Sequence, residues 1–151
     1  MVIAVDFDGT IVEHAYPKIG KPIPFAIDVL KTLNEEGNSL ILWTVREGLT
    51  LDEAVAYCEK AGIKLYAVNK NHPEEVIGEA PRKLHVDLFI DDRNLGGLPD
   101  WGLIYRIIKS HEKGIPVFGE WIEPFDEKKK KKKNFFIRFG EAMNKVKGRG
   151  Y

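Results

Sequence analysis

Residues 1–10 read MVIAVDFDGT, and this stretch predicts both a strand and the place where a ligand would bind. The apolar run Met1–Val5 is typical of a strand that is buried on both faces of a parallel sheet. Asp6 and Asp8 follow this run directly, where the strand ends and Gly9 allows the chain to turn. Open α/β sheets bind their ligands outside the carboxyl ends of the strands. On these residues alone, the stretch fits a ligand site and a solvated turn equally well.

The two neighbouring carboxylates also suggest a cation. Carboxylates this close repel one another unless a cation or a shared proton relieves the repulsion. Mg²⁺ is a hard divalent cation that typically takes one or two carboxylates together with phosphate oxygens and water. A metal site at Asp6 and Asp8 is therefore the sharper of the two hypotheses.

Strand and helix patterns alternate along the chain, as they do in βαβ units with a parallel sheet. One predicted helix begins near Pro24 and ends at Gly37, a second has Thr50 as the N-cap of a capping box with Glu53, and a third begins at Trp101. Further strands are predicted at 39–43, 64–68, 86–90 and 115–118. We therefore expect an α/β protein whose mainly parallel sheet has about five strands.

Length and composition predict one soluble globular domain. Typical domains run to about 100–150 residues, and this chain has 151. Cys58 is the single cysteine, so no internal disulfide can form, and its place in a predicted helix indicates a buried thiol. No apolar stretch approaches the roughly 20 residues that span a bilayer, and the first residues form a strand pattern and not a secretion signal. We therefore expect a cytoplasmic protein.

The net charge of zero conceals an acidic body and a basic tail. Residues 126–151 hold 10 of the 23 lysines and arginines but 3 of the 23 acidic residues. The run Lys128–Lys133 indicates a solvated segment, and apolar residues at helical spacing follow it. We divide the chain into a body, 1–125, and a tail, 126–151, with a basic amphipathic helix. The tail either packs on the body or contacts a membrane surface or an acidic partner, and no motif predicts sequence-specific nucleic-acid binding.

Polar residues also follow two of the later strands. Thr44 and Arg46 come after the second strand, and Asp91 and Asp92 come after the fourth. Each is ordinary by itself, since a strand often ends in a polar turn or a helix cap. The carboxyl ends of parallel strands meet at one edge of a sheet, however, so we expect these residues to share a crevice with Asp6. Their joint placement favours a common site.

These strand ends resemble the motifs of the haloacid dehalogenase (HAD) superfamily, most of whose members are Mg²⁺-dependent phosphatases. Three motifs match in order, DFDGT at 6–10, LILWT at 40–44 and LFIDD at 88–92. The remaining motif, a lysine before the last of these strands, is matched by Lys83, with Lys70 as the alternative. The ending DDRN at 91–94 is similar to that of the small magnesium-dependent phosphatases in the superfamily.

The resemblance covers about residues 1–122 and implies hydrolysis of a phosphate monoester. The resemblance implies that Asp6 is the nucleophile, which forms an aspartyl-phosphate, and that Asp8 is the general acid and base. Mg²⁺ is bound by Asp6, by the backbone carbonyl of Asp8 and by Asp92, which Asp91 orients.

Further roles follow from the same resemblance. Thr44 donates a hydrogen bond to a phosphoryl oxygen, and Lys83 offsets negative charge. From the residue type itself, we expect the amide of Gly9 to face the phosphoryl oxygens. Arg46 either binds the substrate phosphate in bidentate fashion or forms a surface salt bridge. The four histidines lack the spacing of a zinc site, so we expect them to be structural or exposed, with His14 nearest the site.

The resemblance also implies a Rossmann-like, three-layer α/β/α sandwich without a cap domain. Members often carry a cap either after the first motif or between the second and third, and the windows here, 11–23 and 63–82, are too short for one. We expect an open site whose substrate is contacted by the segment around His14, Tyr16 and Pro17, or one that borrows a lid from a partner subunit in an oligomer.

Two other functions fit the same residues. A phosphotransferase would use the same groups and pass the phosphoryl group to an alcohol. A non-catalytic binding module would act through its basic tail, although it would have no need of clustered carboxylates. The expected substrate is a phosphorylated compound whose class the motifs do not specify.

Overall fold

The structure is a computed structural model that describes residues 1–76, 78 and 82–115. The chain divides into two units, Met1–Lys113 and Gly114–Tyr151, and the described residues belong almost entirely to the first. The predicted tail, 126–151, and the predicted boundary after residue 125 lie outside the described residues.

The described residues form an α/β unit with a four-stranded parallel sheet and three helices. In chain order the elements are β1 (Val2–Val5), α1 (Ala26–Glu35), β2 (Ser39–Leu42), α2 (Gly48–Lys60), β3 (Leu65–Val68), β4 (Leu88–Ile90) and α3 (Trp101–Glu112). The predicted α/β class is confirmed, but the sheet has four strands and not about five. Of the predicted fifth strand, 115–118, Ile115 is exposed and lies in no strand, and 116–118 fall outside the described residues.

β1 lies inside the sheet, whose strand order is β3-β2-β1-β4. It pairs in parallel with β2, where Ile3 lies opposite Leu40, and with β4, where Val5 lies opposite Ile90. Residues Ile3 to Val5 are at most 2% exposed. The unbroken apolar sequence of β1 follows from this position, because both edges of the strand are paired and both of its faces are covered.

The two faces of the sheet are covered differently. Buried residues of all three helices share one core cluster with the face that carries Ile3 and Val5. The opposite face has a smaller core of Ala4, Ile41, Ala67 and Leu84, and Leu84 comes from the irregular segment before β4. In the part of the chain that is described, this second face is therefore covered by irregular chain.

The starts of α2 and α3 differ in how well the sequence predicts them. α3 begins at Trp101 as predicted, and the carboxylate of Asp100 caps it by accepting a hydrogen bond from the Leu103 amide at 2.9 Å. α2 begins at Gly48, so Thr50 is not its N-cap as predicted. The Thr50 hydroxyl instead donates to the Glu47 carbonyl at 2.8 Å, because that carbonyl lies within reach one turn back.

Cys58 is buried, as predicted. Burial raises the pKa of its thiol to about 12, so the thiol stays protonated at neutral pH. Among the residues described, no helix is long and apolar enough to cross a bilayer.

Residues 13–22, here called the flap, form a closed loop between β1 and α1. The loop starts after the fully buried Val12, which bridges to Asp8 and to Pro22. The amide of Glu13 donates to the carbonyl of Lys21 at 2.8 Å and closes the loop. A Cβ atom at Gly20 would lie 1.9 Å from the carbonyl oxygen of Glu13, so the two sides of the flap can approach this closely only with glycine there.

Candidate active site

The carboxyl ends of β1, β2 and β4 meet at a cleft of about 520 Å³. Because β1 lies between β2 and β4, residues that follow these strands are close in space although far apart in sequence. The cleft is lined by Asp6, Asp8, His14, Tyr16, Trp43, Thr44, Val45, Asp91 and Arg93. Four of the six strand-end residues that the sequence singled out thus line one cleft, namely Asp6, Asp8, Thr44 and Asp91.

Asp6, Asp91 and Asp92 form a cluster of carboxylates that fits a metal ion. One oxygen atom from each of the three lies within 4.8 Å of the other two. The Oδ1 atom of Asp92 is buried and has no hydrogen-bond partner among the described residues. A buried carboxylate oxygen without a partner is costly unless a donor or a cation binds it. The cluster therefore has the oxygen ligands that Mg²⁺ prefers, and a bound cation would stabilise its negative charge.

The environment of Asp6 disfavours its negative charge. The pKa of Asp6 is raised from its ordinary value of 3.8 to about 6. Burial is the largest cause, and the negative charges of Asp91, Asp92 and Asp8 act in the same direction. A backbone hydrogen bond from Phe7 acts in the opposite direction. A cation bound at the cluster would favour the charged form of Asp6 and so reverse this shift.

Asp8 is paired with Arg46 by two hydrogen bonds. Nε of Arg46 donates to Oδ2 of Asp8 at 2.6 Å, and Nη2 donates to Oδ1 at 2.7 Å. The Arg46 side chain is fully buried, and Asp8 is 8% exposed. The hydrogen bond to Asp8 is the main reason that the pKa of Arg46 is raised. A bidentate pair of this kind fixes both the position and the orientation of the Asp8 carboxylate.

The remaining donors of Arg46 are also occupied. Nη1 donates to the carbonyl oxygens of Pro17 at 3.0 Å and Thr50 at 3.5 Å, and Nη2 donates to that of Lys18 at 2.8 Å. A guanidinium has five N–H donors, so none is left for a substrate phosphate. In contrast to the sequence prediction, the structure offers Arg46 neither to a phosphate nor to a surface salt bridge. Arg46 instead ties the end of β1 to the flap and to α2.

Thr44 lies at the cleft with its hydroxyl proton available. Its amide donates to Oδ1 of Asn69 at 2.8 Å, and Nδ2 of Asn69 donates to the Thr44 carbonyl at 2.9 Å. Its Oγ1 accepts a hydrogen bond from the Arg46 amide at 3.2 Å, which leaves the hydroxyl proton for an oxygen of a bound group. The sequence did not single out Asn69, because its contact with the end of β2 exists only once β3 pairs with β2.

Thr10 connects the two acidic strand ends, a role that the sequence motif alone did not assign. It is fully buried. Its hydroxyl oxygen accepts from the Asp92 amide at 3.1 Å, and its hydroxyl proton points to Oδ2 of Asp6 at 3.5 Å. Its carbonyl accepts from Nε1 of Trp101 at 3.0 Å. Thr10 therefore holds the ends of β1 and β4 in a fixed relation.

His14 contacts Asp92 above Gly9. Nε2 of His14 lies 2.9 Å from Oδ2 of Asp92. A Cβ atom at Gly9, where φ is +89°, would lie 2.3 Å from that nitrogen and 2.6 Å from that oxygen, so the contact requires glycine. The His14 side chain is 54% exposed, as expected from the sequence, but it also belongs to the cleft.

The amide of Gly9 has a different partner from the one expected. It donates to the carbonyl of Val12 at 2.6 Å, inside the turn that follows β1. The turn therefore uses the donor that the sequence assigned to the phosphoryl oxygens.

Among the described residues that line the cleft, the permanently positive side chain is that of Arg93 and not that of a predicted lysine. Lys83 is exposed, the amine of Lys70 donates to the Pro73 carbonyl, and neither lysine is among the described residues that line the cleft. Arg93 lines the cleft, is exposed, and has an amide that donates to Oδ1 of Asp91 at 2.8 Å. In the sequence, Arg93 directly follows the acidic pair Asp91 and Asp92, and this position could have identified it as a residue of the site.

Comparison with known proteins gives a family and no named activity. No protein-family model matches the chain, and no curated protein matches it. The chain is similar to a solved structure described as a conserved protein coded by locus from Bacteroides thetaiotaomicron, with 57% sequence identity and a TM-score of 0.72. The match covers 80% of this chain and 98% of that one. Sequence identity at this level over almost the whole of that protein places the chain in the same family as this conserved protein of Bacteroides thetaiotaomicron.

Proposed function

We propose that this protein is a HAD-type phosphatase that hydrolyses a phosphate monoester with the help of Mg²⁺. The observation that carries the proposal is the cluster of Asp6, Asp91 and Asp92 at the strand ends, with a buried Asp92 oxygen that lacks a partner among the described residues. Three carboxylates at this spacing repel one another at neutral pH, and a divalent cation removes that repulsion. The three motifs that match the superfamily in order support the same reaction.

Asp6 is the proposed nucleophile. One of its oxygens attacks phosphorus, the bond between phosphorus and the ester oxygen breaks, and the alcohol leaves with the electron pair of that bond and takes up a proton that Asp8 donates. Water then attacks the phosphorus of the aspartyl-phosphate, which releases inorganic phosphate and restores Asp6. Mg²⁺ bound by Asp6, the Asp8 carbonyl and Asp92, with Asp91 orienting Asp92, would neutralise charge on both reactants. Thr44 donates its hydroxyl proton to a phosphoryl oxygen.

Asp8 is the proposed proton carrier, and Arg46 positions it. Each oxygen of a carboxylate can accept more than one hydrogen bond. Asp8 can therefore accept the proton of the attacking water while both of its bonds to Arg46 persist. Arg46 acts through Asp8 in this scheme, because its own donors do not reach the substrate.

We further propose the Rossmann-like, three-layer arrangement of this superfamily, in a form without a cap domain, in which the described helices make one outer layer and the irregular chain that contributes Leu84 lies on the other face of the sheet. Between β1 and α1 the described chain contains the flap and no helix. Between β3 and β4 the described residues likewise contain no helix. A cap domain has no room in these segments, so the flap is the part of the described chain that contacts a substrate outside the strand ends.

The direct test is Mg²⁺-dependent release of phosphate from a generic aryl phosphate. We expect Asp6→Asn to lower kcat by about a thousandfold or more, because the nucleophile is lost, and removal of Mg²⁺ with a chelator to have a similar effect. Asp52→Asn is the matched control, since it removes an exposed carboxylate on α2 that does not line the cleft.

Activity that survives Asp6→Asn, or that needs no divalent cation, would rule out this mechanism. Transfer of the phosphoryl group to an added alcohol would identify a phosphotransferase that uses the same residues. A panel of phosphorylated metabolites then identifies the preferred substrate.

A further inference from the structure

The cleft that contains Asp6 and Asp8 is also lined by apolar and aromatic residues. Tyr16, Trp43 and Val45 are the apolar and aromatic residues among those that line it. Tyr16 is 62% exposed and Val45 is 83% exposed. Apolar and aromatic walls beside a few polar groups are typical of a site for a small molecule.

Tyr16 is exposed to solvent, but contacts of Arg46 with its ring and with the next two residues hold it in place. The guanidinium of Arg46 lies 5.3 Å from the centre of the Tyr16 ring, close enough for a cation–π contact. The same guanidinium binds the carbonyl oxygens of the next two residues, Pro17 at 3.0 Å and Lys18 at 2.8 Å. Since the Arg46 side chain is fully buried, the ring helps to cover it and leaves its remaining surface exposed. A ring ordered in advance lowers the entropic cost of binding a ligand against it.

Trp43 also lines the cleft, and it packs against the smaller core on the second face of the sheet. Its amide donates to the Val5 carbonyl at 2.8 Å, which extends the pairing of β1 and β2 by one residue. In the sequence Trp43 directly precedes Thr44, and its partner Val5 directly precedes Asp6. A group attached to a phosphate at Asp6 and Thr44 would occupy the cleft that Tyr16 and Trp43 also line.

We propose that the substrate is a small phosphate monoester with a planar aromatic ring close to its phosphate, and that Tyr16 binds this ring by stacking. The inference rests on the proposed function, because that function places the phosphate at Asp6. Aromatic rings attract one another in offset and edge-to-face geometries, which a saturated ring cannot reproduce. The volume of the cleft, about 520 Å³, is enough for one ring and a phosphate.

The test compares two esters that differ in the ring alone. Benzyl phosphate and cyclohexylmethyl phosphate have the same carbon skeleton, and both release a primary alcohol, so their leaving groups differ little, and the part of a kcat/KM difference that is lost in Tyr16→Leu reports the ring. We expect the wild-type protein to prefer benzyl phosphate by about tenfold, the size of effect that ring stacking together with the burial of its surface can produce. We expect the preference for benzyl phosphate to appear mainly as a lower KM, because stacking on Tyr16 stabilises the bound substrate.

Three variants assign the preference to Tyr16. Tyr16→Phe keeps the ring and should keep the preference. Tyr16→Leu keeps an apolar cover over Arg46 but has no planar ring, so the two esters should become nearly equal substrates. Tyr66→Leu is the matched control, since Tyr66 is a 44% exposed tyrosine of β3 that does not line the cleft.

A binding measurement separates failure of this inference from failure of the proposed function. The phosphonates 2-phenylethylphosphonate and 2-cyclohexylethylphosphonate imitate the two esters and cannot be hydrolysed. Calorimetry in the presence of Mg²⁺ should show tighter binding of the phenyl compound to wild-type protein and equal binding of both to Tyr16→Leu. If neither ester is hydrolysed but this difference appears, the phosphatase proposal fails and the ring site stands.

If Asp6 and Mg²⁺ are required for turnover but the two esters are hydrolysed equally, or Tyr16→Leu retains the preference, the proposed ring-binding site is wrong and the phosphatase proposal stands.

Hydrolysis of a nucleoside 5′-monophosphate provides a further comparison with benzyl phosphate. A kcat/KM above that of benzyl phosphate, also lost in Tyr16→Leu, would identify a nucleobase as the source of the ring. A lower value would count against a nucleobase as the source of the ring.

Discussion

At the scale of single residues, the ion pair of Arg46 and Asp8 differs from the other ion pairs among the described residues, because both of its side chains are buried. Removing two charges from water is costly, and good geometry with further hydrogen bonds is needed to offset that cost. Both conditions hold here, since the pair is bidentate and Arg46 binds three backbone carbonyls besides. The pair fixes a carboxylate beside the proposed nucleophile and the flap above it.

Arg46→Met should destabilise the protein by about 3–5 kcal/mol, because it leaves the buried carboxylate of Asp8 without a counter-charge. Urea denaturation measures this change. Arg46→Lys should fall between the wild type and Arg46→Met, since a lysine keeps the charge but cannot form the bidentate pair. Arg106→Met, which removes an exposed arginine of α3, is the control and should stay within about 0.5 kcal/mol of the wild type.

Equal stability of Arg46→Met and Arg106→Met would contradict this account of the pair. The double variant with Asp8→Asn gives a second check. Because the unpaired charge is then absent, its loss of stability should be smaller than the sum of the two single losses.

At the scale of elements, the helix starts show how local signals compete. Asp100 and Thr50 both have the residue type of an N-cap, but only Asp100 makes the capping bond, to the Leu103 amide. Thr50 lies inside α2, where its hydroxyl donates to the Glu47 carbonyl. At this same end of α2, Arg46 donates hydrogen bonds to the Thr50 carbonyl and to carbonyls of the flap. The pattern of residues along the chain did not predict these contacts.

Asp100→Ala should therefore cost about 1 kcal/mol, the typical value of a lost cap, whereas Thr50→Ala should cost only a few tenths. Thermal or urea denaturation of the two variants side by side measures the difference. A cost for Thr50→Ala as large as that for Asp100→Ala would mean that Thr50 does cap α2 in solution.

At the scale of the whole molecule, the carboxylate cluster links stability to pH. The pKa of Asp6 is about 6 in the folded protein, against an ordinary 3.8. Below about pH 4 the carboxyl group is protonated in both the folded and the unfolded chain, and it has no effect. As the pH rises from there, the unfolded chain releases its proton first, so the free energy of unfolding falls. Above about pH 6 the loss is complete, at ~1–2 kcal/mol for a partly exposed group that solvent screens.

Asp6→Asn should accordingly stabilise the metal-free protein near pH 8 and leave it unchanged near pH 4. Urea denaturation in the presence of a chelator measures this, with Asp52→Asn as a control that should show no such trend. Mg²⁺ should reverse the order at pH 8, because an ion that binds the folded chain stabilises it and Asp6→Asn removes one of the proposed ligands. Identical midpoints of the wild type and Asp6→Asn at pH 8 without metal would contradict the raised pKa.

Much of the fold was predictable from local patterns. The unbroken apolar run of β1 indicated a strand with both faces buried, and the alternation of strands and helices indicated a parallel sheet. The strand count was less predictable, because a short apolar run such as 115–118 has the composition of a strand whether or not it pairs. The flap was not predictable in shape, since its course depends on Gly20, Glu13 and contacts with Arg46 that no periodicity encodes.

The sequence by itself determined the strand and turn at Val2–Gly9 and the carboxylates at its end, because apolar runs and neighbouring charges are local properties of the chain. Only the tertiary structure decided which groups those carboxylates meet. Asp8 and Arg46 are 38 positions apart, and His14 and Asp92 are 78 positions apart. No local preference selects partners at such separations. The packing of the flap and α2 against the strand ends selects them, and it directs Arg46 to Asp8, leaving Thr44, Tyr16 and Arg93 to face the cleft.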